Sequence, residues 1–380
     1  MSDFPNKLQA KIQQRREAGS LRSLYPQEDL VDFSSNDYLG FARTAEGSLE
    51  PLPVGSTGSR LISGNHSLYR EAEAAVREFH RAGAALIFNS GYDANLGLLS
   101  AILQRGDYIF YDEHVHASIR DGIRLGHARG FKFAHNDLES LQRKVARVLH
   151  EKAPPEGEVY VITESVFSMQ GDGPDLESFA GYCHDRGFRL IVDEAHSAGI
   201  LGPEGRGALA GTPWQDAVFA RLVTFGKSLG CHGAAVLGSP ELREYLINFS
   251  RSLIYTTALP PASLKAVQDA YKRLQGDAGK AAREALLKNI EVFASLEEAF
   301  GLTRYMVPAN AAVRCCEIGG NSRVKQVSLE LRKAGYDVKP ILSPTVPKGR
   351  ECLRFSLHAF NTESEISEVL TILAGLLKQT

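Results

Sequence analysis

One lysine, Lys227, stands between a β-branched run and a glycine-rich run in "LVTFGKSLGCHGAAVLGS", residues 222–239. Upstream lies "VDEAH" at 192–196. Two chemistries suit a lysine in this setting. "GKS" is the tail of a phosphate-binding loop, and "VDEAH" has the form of the acidic box that accompanies one in nucleotide hydrolases. The other chemistry is a Schiff base between the lysine amine and an aldehyde cofactor. Spacing separates them. The phosphate-binding loop needs G-x-x-x-x-G-K-[ST], and the position of its first glycine is occupied by Arg221. That glycine lets the loop curl so that its amides face the phosphate. The acidic box also precedes "GKS" instead of following it. A P-loop NTPase is the reading that fits least.

A Schiff-base enzyme built on pyridoxal phosphate (PLP) needs a lysine for the aldehyde, a carboxylate for the pyridine nitrogen, a flat group over the ring and donors for the phosphate. Asp193 closes the apolar run "FRLIVD", where ligands of open α/β sheets bind; it is equally placed to cap a turn. His196, three residues on, can reach the phenolate oxygen, or be a structural histidine. Lys227 follows "LVTF" and has Gly226, Gly230 and Gly233 around it, small enough for a bulky group to approach; its plain alternative is a solvated loop lysine. "FNSGYDANLG" at 88–97 reads as a strand–turn–helix junction, and Ser90, Gly91 and Tyr92 open a helix whose amides suit a phosphate. A simple tight turn is the alternative there. "EHVHASI" at 113–119 puts His116 where an imidazole could stack on the pyridine, or merely start a helix. Each residue alone is ambiguous, and their joint order in one domain is the stronger argument.

The elements that must position these residues follow from periodicity. Residues 6–24 read as a charged helix. "SLYREAEAAVREFHR" is helical, "AALIF" a buried strand, and "DANLGLLSAILQRG" a helix ending at a glycine. Then strand "DYIFY", helix 117–126, strand "FKFA", helix 138–151, strand "VYVIT", helix 176–186 and strand "FRLIVD" alternate, followed by strands "LVTF" and "AAVLGS". Such alternation implies a mostly parallel sheet with helices on both faces. Long helices begin near residue 262, and a last set follows: "AAVRCCEIG", helix 322–334, "CLRFSL" and helix 363–377. The expected organisation is an N-terminal arm over 1–40, a large α/β domain over 41–270 and a smaller C-terminal α/β domain over 271–380.

Bulk properties exclude several classes. The chain has 380 residues, 43% hydrophobic and 23% charged, with a net charge of −2. No basic excess points to nucleic acid, and no apolar run is long enough to span a bilayer. The N-terminal stretch lacks the apolar centre of a signal peptide. Five cysteines show neither metal-ligand spacing nor a disulfide framework, so the expected location is cytoplasmic.

With these residues assembled, the sequence resembles the α-oxoamine synthases, a branch of the fold-type I PLP-dependent transferases. The matching stretches are "FSSNDYLGF", "GSTGSRLISGNHSLY", "SGYDANLG", "HASI", "TESVFSMQGD", "VDEAHSAGILGPEGRG", "TFGKSLGCHGAAVLGS" and "IYTTALPP", with "LRFSLHAF" near the C-terminus. The resemblance implies an enzyme that acylates an amino acid from a thioester with loss of carbon dioxide, acting as a homodimer with its active site between subunits. It implies Lys227 as Schiff-base lysine and acid/base, Asp193 on the pyridine nitrogen, His196 on the phenolate oxygen and His116 stacked on the ring. Gly91, Tyr92 and Thr224 would line the phosphate end, with Thr257 from the second subunit. Ser168 would lie near the cofactor oxygen, Glu164 and Asn36 near the substrate, and Arg354 on the amino-acid carboxylate.

Within the family, "GSRLISGNH", "TFGK", the short chain and "SLRSLYP" look most like members that join L-alanine to a pimeloyl thioester in biotin biosynthesis. The carrier there is CoA or acyl carrier protein, and Arg22 becomes a candidate contact for the acyl substrate. Acylation of glycine by acetyl-CoA and long-chain acylation of serine are the neighbouring possibilities. A cofactor-free binding protein of the same fold is the reading from another class. The segment 41–54, "FARTAEGSLEPLPV", is shorter than the helical stretch usual in the family. The loop "TVPKGRECLR" reads as solvated.

Overall fold

The computed structural model describes residues 4–24, 26, 28–43, 52–151 and 156–378, so residues 44–51 of the shortened segment lie outside the described residues. The chain opens with helix α1 (Asn6–Glu17) and a two-residue strand, β1 (Val31–Asp32). The helix expected over 6–24 thus stops at Glu17. Gly19 adopts φ 61°, and the N–H groups of Gly19 and Ser20 turn back to the carbonyls of Arg16 and Arg15 at 3.0 and 2.8 Å. This αL cap closes the last carbonyls. α1 also has no buried residue that would extend it by packing.

Residues 36–168 and 173–284 form the larger of two compact units. In chain order it contains α2 (Ser67–His80), β2 (Ala84–Phe88), α3 (Gly91–Ile102), β3 (Tyr108–Asp112), α4 (Ala117–Leu125), β4 (Arg129–Phe133), α5 (Leu138–Glu151), β5 (Val159–Glu164), α6 (Leu176–Arg186) and β6 (Arg189–Asp193). β7 (Ala220–Thr224), β8 (Ala234–Gly238), α7 (Pro240–Phe249), α8 (Arg251–Ile254) and α9 (Pro261–Gln275) follow. The strands form one seven-stranded sheet in the order β2-β8-β7-β6-β5-β3-β4. It is mostly parallel, as expected; only β8 runs antiparallel to its neighbours β2 and β7. β7 and β8 are joined by a short loop with no crossover helix, and a short connection permits only antiparallel pairing.

Strand alternation sends side chains to both faces. Tyr160 and Ile162 of β5 join Ile109, Ile191 and Leu222 against α3, α4 and α7. Val159 and Val161 join Phe110, Leu190 and Val192 against α5 and α6. Burial on both faces explains why these strands read as nearly continuous apolar runs. α3 ends at Ile102, before the glycine expected to stop it. Leu103 is extended, and the Asp107 carboxylate draws the Gln104 N–H into a turn at 2.8 Å, so Gly106 lies past the cap.

The smaller unit comprises residues 1–35, 169–172 and 285–380. α10 (Asp277–Ala299) leads into it, followed by β9 (Val313–Glu317), α11 (Asn321–Lys333), β10 (Tyr336–Asp337), β11 (Lys339–Ile341), β12 (Cys352–Ser356) and α12 (Glu363–Lys378). β11, β12 and β9 make an antiparallel sheet in that order, and β1 pairs in parallel with β10. Among the described residues no helix is long and apolar enough to cross a membrane.

Candidate active site

The carboxyl ends of β6 and β7 open onto a cavity of about 280 Å³ within the larger unit. Asp193 is the last residue of β6, and Lys227 follows β7 after a short turn. Lys227, Asp193, His196 and His116 all line this cavity, as do Ser90, Gly91, Tyr92 and Thr224. Asn36, Glu164 and Ser168 complete the predicted set on its walls.

Lys227 Nζ lies 2.9 Å from His196 Nε2, and His196 Nδ1 lies 2.7 Å from the Tyr38 hydroxyl. Tyr38 donates to Asn36 Oδ1 at 3.0 Å. A hydroxyl that gives its proton to Asn36 accepts from His196 Nδ1–H, which leaves Nε2 to accept from the lysine. The polar row therefore runs in one direction, from amine to amide.

Asp193 is buried. Its Oδ1 accepts from the Ala195 N–H at 2.9 Å and its Oδ2 from Asn95 Nδ2 at 2.8 Å. The same Nδ2 reaches Ser118 Oγ at 3.1 Å, and Ser118 Oγ lies 2.8 Å from His116 Nδ1. His116 is the N-cap of α4, so a helix-start role and a position on the cavity wall coexist. Desolvation by that wall holds the His116 imidazole below its ordinary pKa; the Asp193 charge pulls the other way and Lys227 reinforces the lowering. The His116 backbone N–H donates to Glu164 Oε1 at 2.5 Å. Burial, and then the charge of Asp193, raises the Glu164 carboxyl well above its ordinary value.

Ser90 caps α3: its Oγ accepts from the Asp93 N–H at 3.0 Å. An N-terminus held this way presents its free amides to the cavity, an anion site by construction. A side chain on Gly91 would meet Thr224 Cγ2 at 2.7 Å, so only glycine lets α3 start this close to β7. Tyr92 is exposed, and its hydroxyl bonds Asp121. Thr224 Oγ1 lies 3.4 Å from the Ala195 carbonyl.

Of the predicted residues in the larger unit, Thr257 alone is not on this cavity's wall. Thr257 is exposed, and its carbonyl accepts from Asn89 at 2.8 Å. Arg22 and Arg354 belong to the smaller unit. Arg22 donates to Thr345 Oγ1 at 3.0 Å, and Arg354 is buried on β12, donating to Ser356 Oγ at 2.9 Å. Four polar residues at the site went unpredicted: Tyr38, Asn95, Ser118 and His232. All four fall within motifs named above, His232 in "TFGKSLGCHGAAVLGS". Asn95 stands four residues after Gly91 on α3, hence on the same helix face, and that spacing was a usable signal.

A family model described as "Aminotransferase class I and II" matches residues 28–373. An 8-amino-7-oxononanoate synthase from Geotalea daltonii is 36% identical, covering 93% of this chain and 90% of that protein. Among solved structures, an 8-amino-7-oxononanoate synthase from Francisella tularensis shares 30% identity with a TM-score of 0.76, over 93% of this chain and 99% of that one. A serine palmitoyltransferase variant from S. paucimobilis, solved with a bound PLP–myriocin aldimine, is 26% identical with a TM-score of 0.88, over 98% and 97% of the two chains. With one family matched over most of its length and relatives alike from end to end, this chain belongs to the class I and II aminotransferases, in their α-oxoamine synthase branch.

Proposed function

We propose that this chain catalyses the PLP-dependent decarboxylative condensation of L-alanine with a pimeloyl thioester, giving 8-amino-7-oxononanoate. The observation that carries this reading is one cavity in which the Lys227 amine, 2.9 Å from His196, shares walls with the Asp193 carboxylate and the capped start of α3. These residues fit PLP. There is an amine for its aldehyde, a carboxylate for its ring nitrogen and an imidazole for its face. A helix N-terminus stripped to glycine, with the Thr224 hydroxyl beside it, suits its phosphate. The relatives' names favour alanine and the pimeloyl group over glycine or serine.

Bound PLP supplies an aldehyde that captures amines and an electron sink for negative charge at the amino acid's Cα. Lys227 would hold it through its amine, and that amine is the group placed to take a proton from Cα and to return one. Asp193 would hold the ring nitrogen in its protonated form. His196 steadies the lysine amine and would be the imidazole on the side of the phenolate oxygen, and His116 would be the one against the ring. Ser90, Gly91, Tyr92 and Thr224 would take the phosphate, and a second copy would contribute Thr257. Ser168 borders the cofactor oxygen, Asn36 and Glu164 border the substrate, Arg354 holds its carboxylate, and Arg22 meets the acyl chain. Over the whole reaction a bond forms between Cα and the acyl carbon. The acyl C–S bond breaks to release the thiol, and the Cα–carboxyl bond breaks to release carbon dioxide.

We read residues 1–40 as an arm, 41–270 as the PLP-binding domain and 271–380 as the small domain of a cytoplasmic homodimer, its acyl donor carried on CoA or acyl carrier protein. The five cysteines, all unpaired, support a reducing compartment. The test is product analysis by mass spectrometry after incubating PLP-loaded protein with alanine, glycine or serine and pimeloyl-, acetyl- or palmitoyl-CoA. Turnover of alanine with pimeloyl-CoA is expected. Exclusive turnover of glycine with acetyl-CoA, or of serine with palmitoyl-CoA, would transfer the chain to a neighbouring activity. A protein that takes up no PLP would overturn the reading.

A further inference from the structure

Asn95 is 2% exposed and sits on α3 about one helical turn in from Gly91. Its Nδ2 has two hydrogens, and both are engaged: Asp193 Oδ2 at 2.8 Å and Ser118 Oγ at 3.1 Å. The amide cannot be turned over, because Oδ1 would then oppose the carboxylate at the same distance, acceptor against acceptor. Oδ1 itself is buried without a partner. The side chain forgoes its acceptor bond to keep both donors in place. Ser118, fully buried, accepts from Asn95 and has its own proton left to give. His116 Nδ1 lies 2.8 Å away, and the Ser118 backbone N–H approaches the same nitrogen at 3.3 Å. Nδ1 therefore accepts twice, and the ring's proton belongs on Nε2.

We propose that Asn95 is a positioning residue which reads the Asp193 carboxylate and, through Ser118, holds the His116 ring as the neutral tautomer protonated on Nε2. The groups facing this ring pull in opposite directions. Asp193 at the end of β6 and Asp121 on α4 favour an imidazolium, while Lys227 and Arg120 oppose it. Glu164 at the end of β5 takes the backbone N–H, not the ring. Burial already disfavours the imidazolium, and the bonds into Nδ1 act in the same direction, because protonating that nitrogen forfeits the Ser118 N–H bond and forces the hydroxyl to turn from donor to acceptor. The consequence for catalysis rests on the function proposed above. A neutral ring covers the cofactor without adding positive charge beside the protonated ring nitrogen and the Lys227 amine.

The test is long-range ¹H–¹⁵N NMR of histidine-labelled protein, with and without PLP, the His116 signals being assigned by their loss in His116→Gln. At neutral pH we expect a pyridine-type Nδ1 and a pyrrole-type Nε2. Ser118→Ala should raise the titration midpoint of His116 by about one pH unit, and Asn95→Ala should mix the tautomers. Ser118→Thr, which keeps the hydroxyl, should restore the wild-type signals. Circular dichroism checks folding, and if Asn95→Ala does not fold, the Ser118 pair carries the test. A wild-type ring protonated on Nδ1, or folded variants whose His116 signals do not move, would overturn the proposal. PLP-free protein showing the expected tautomer, in a chain that never takes up PLP, would sink the functional reading and leave this assignment standing.

Discussion

At the scale of single residues, the site's chemistry depends on donors and acceptors that each have one direction available. Lys227 is held by His196, which is turned by Tyr38. Lys227→Ala removes both the anchor and the base. We expect turnover to fall by about 10³-fold or more, with PLP removable by dialysis, whereas wild-type protein keeps a visible absorbance through the same treatment. Glu164 offers a separate test through pH. Its carboxyl is raised above the ordinary 4.5 in the folded chain, so the native state holds a proton there that the unfolded chain has released. The stability this proton contributes is lost as pH rises from 4.5 toward the raised value. Glu164→Gln keeps an acceptor for the His116 N–H and cannot ionise. Its melting temperature relative to wild type should therefore climb with pH over that window. A difference that stays flat would mean that the carboxyl ionises normally.

At the scale of elements, function depends on how closely α3 begins beside the end of β7. The Ser90 cap and the absence of a side chain at Gly91 set that approach. Gly91→Ala should push the helix start off Thr224, whose branched side chain is stiff, and weaken PLP binding by about tenfold. Thr224→Ser deletes the methyl that obstructs and retains the hydroxyl. The double variant Gly91→Ala/Thr224→Ser should recover most of the lost affinity in a fluorescence titration. Independent, additive losses would instead show that the contact does not govern the phosphate end. Expected and observed bounds agree for α5 and α6 because their apolar faces follow the helical repeat closely. They differ for α1, which has no buried face to mark its end.

At the scale of the whole molecule, the proposed homodimer makes two predictions. Sedimentation equilibrium should give twice the chain mass of 41.5 kDa. If Thr257 serves the other subunit's phosphate site, Lys227→Ala and Thr257→Glu should each be inactive alone. Mixed dimers then contain one intact site, and unfolding and refolding the two together should recover about a quarter of wild-type activity. No recovery, with mixed dimers demonstrated by mass, would place Thr257 outside the site. Arg354 is tested through the substrate: Arg354→Lys keeps the charge but loses the planar fork, and should raise KM for alanine more than it lowers kcat.

The sequence by itself determined the element types, the alternation that makes an α/β sheet, and the placing of Asp193 and Lys227 at strand ends. These are local properties, written in periodicities of two and 3.6 residues and in motifs a few residues long. Strand order, the reversal of β8 and the pairing of β1 with β10 were decided only by the tertiary structure. Each joins segments whose own patterns are silent about their partner. The same holds inside the cavity. A sequence names Asn95, Ser118 and His116 without saying that they meet, and the direction of their hydrogen bonds exists only once Asp193 closes the row.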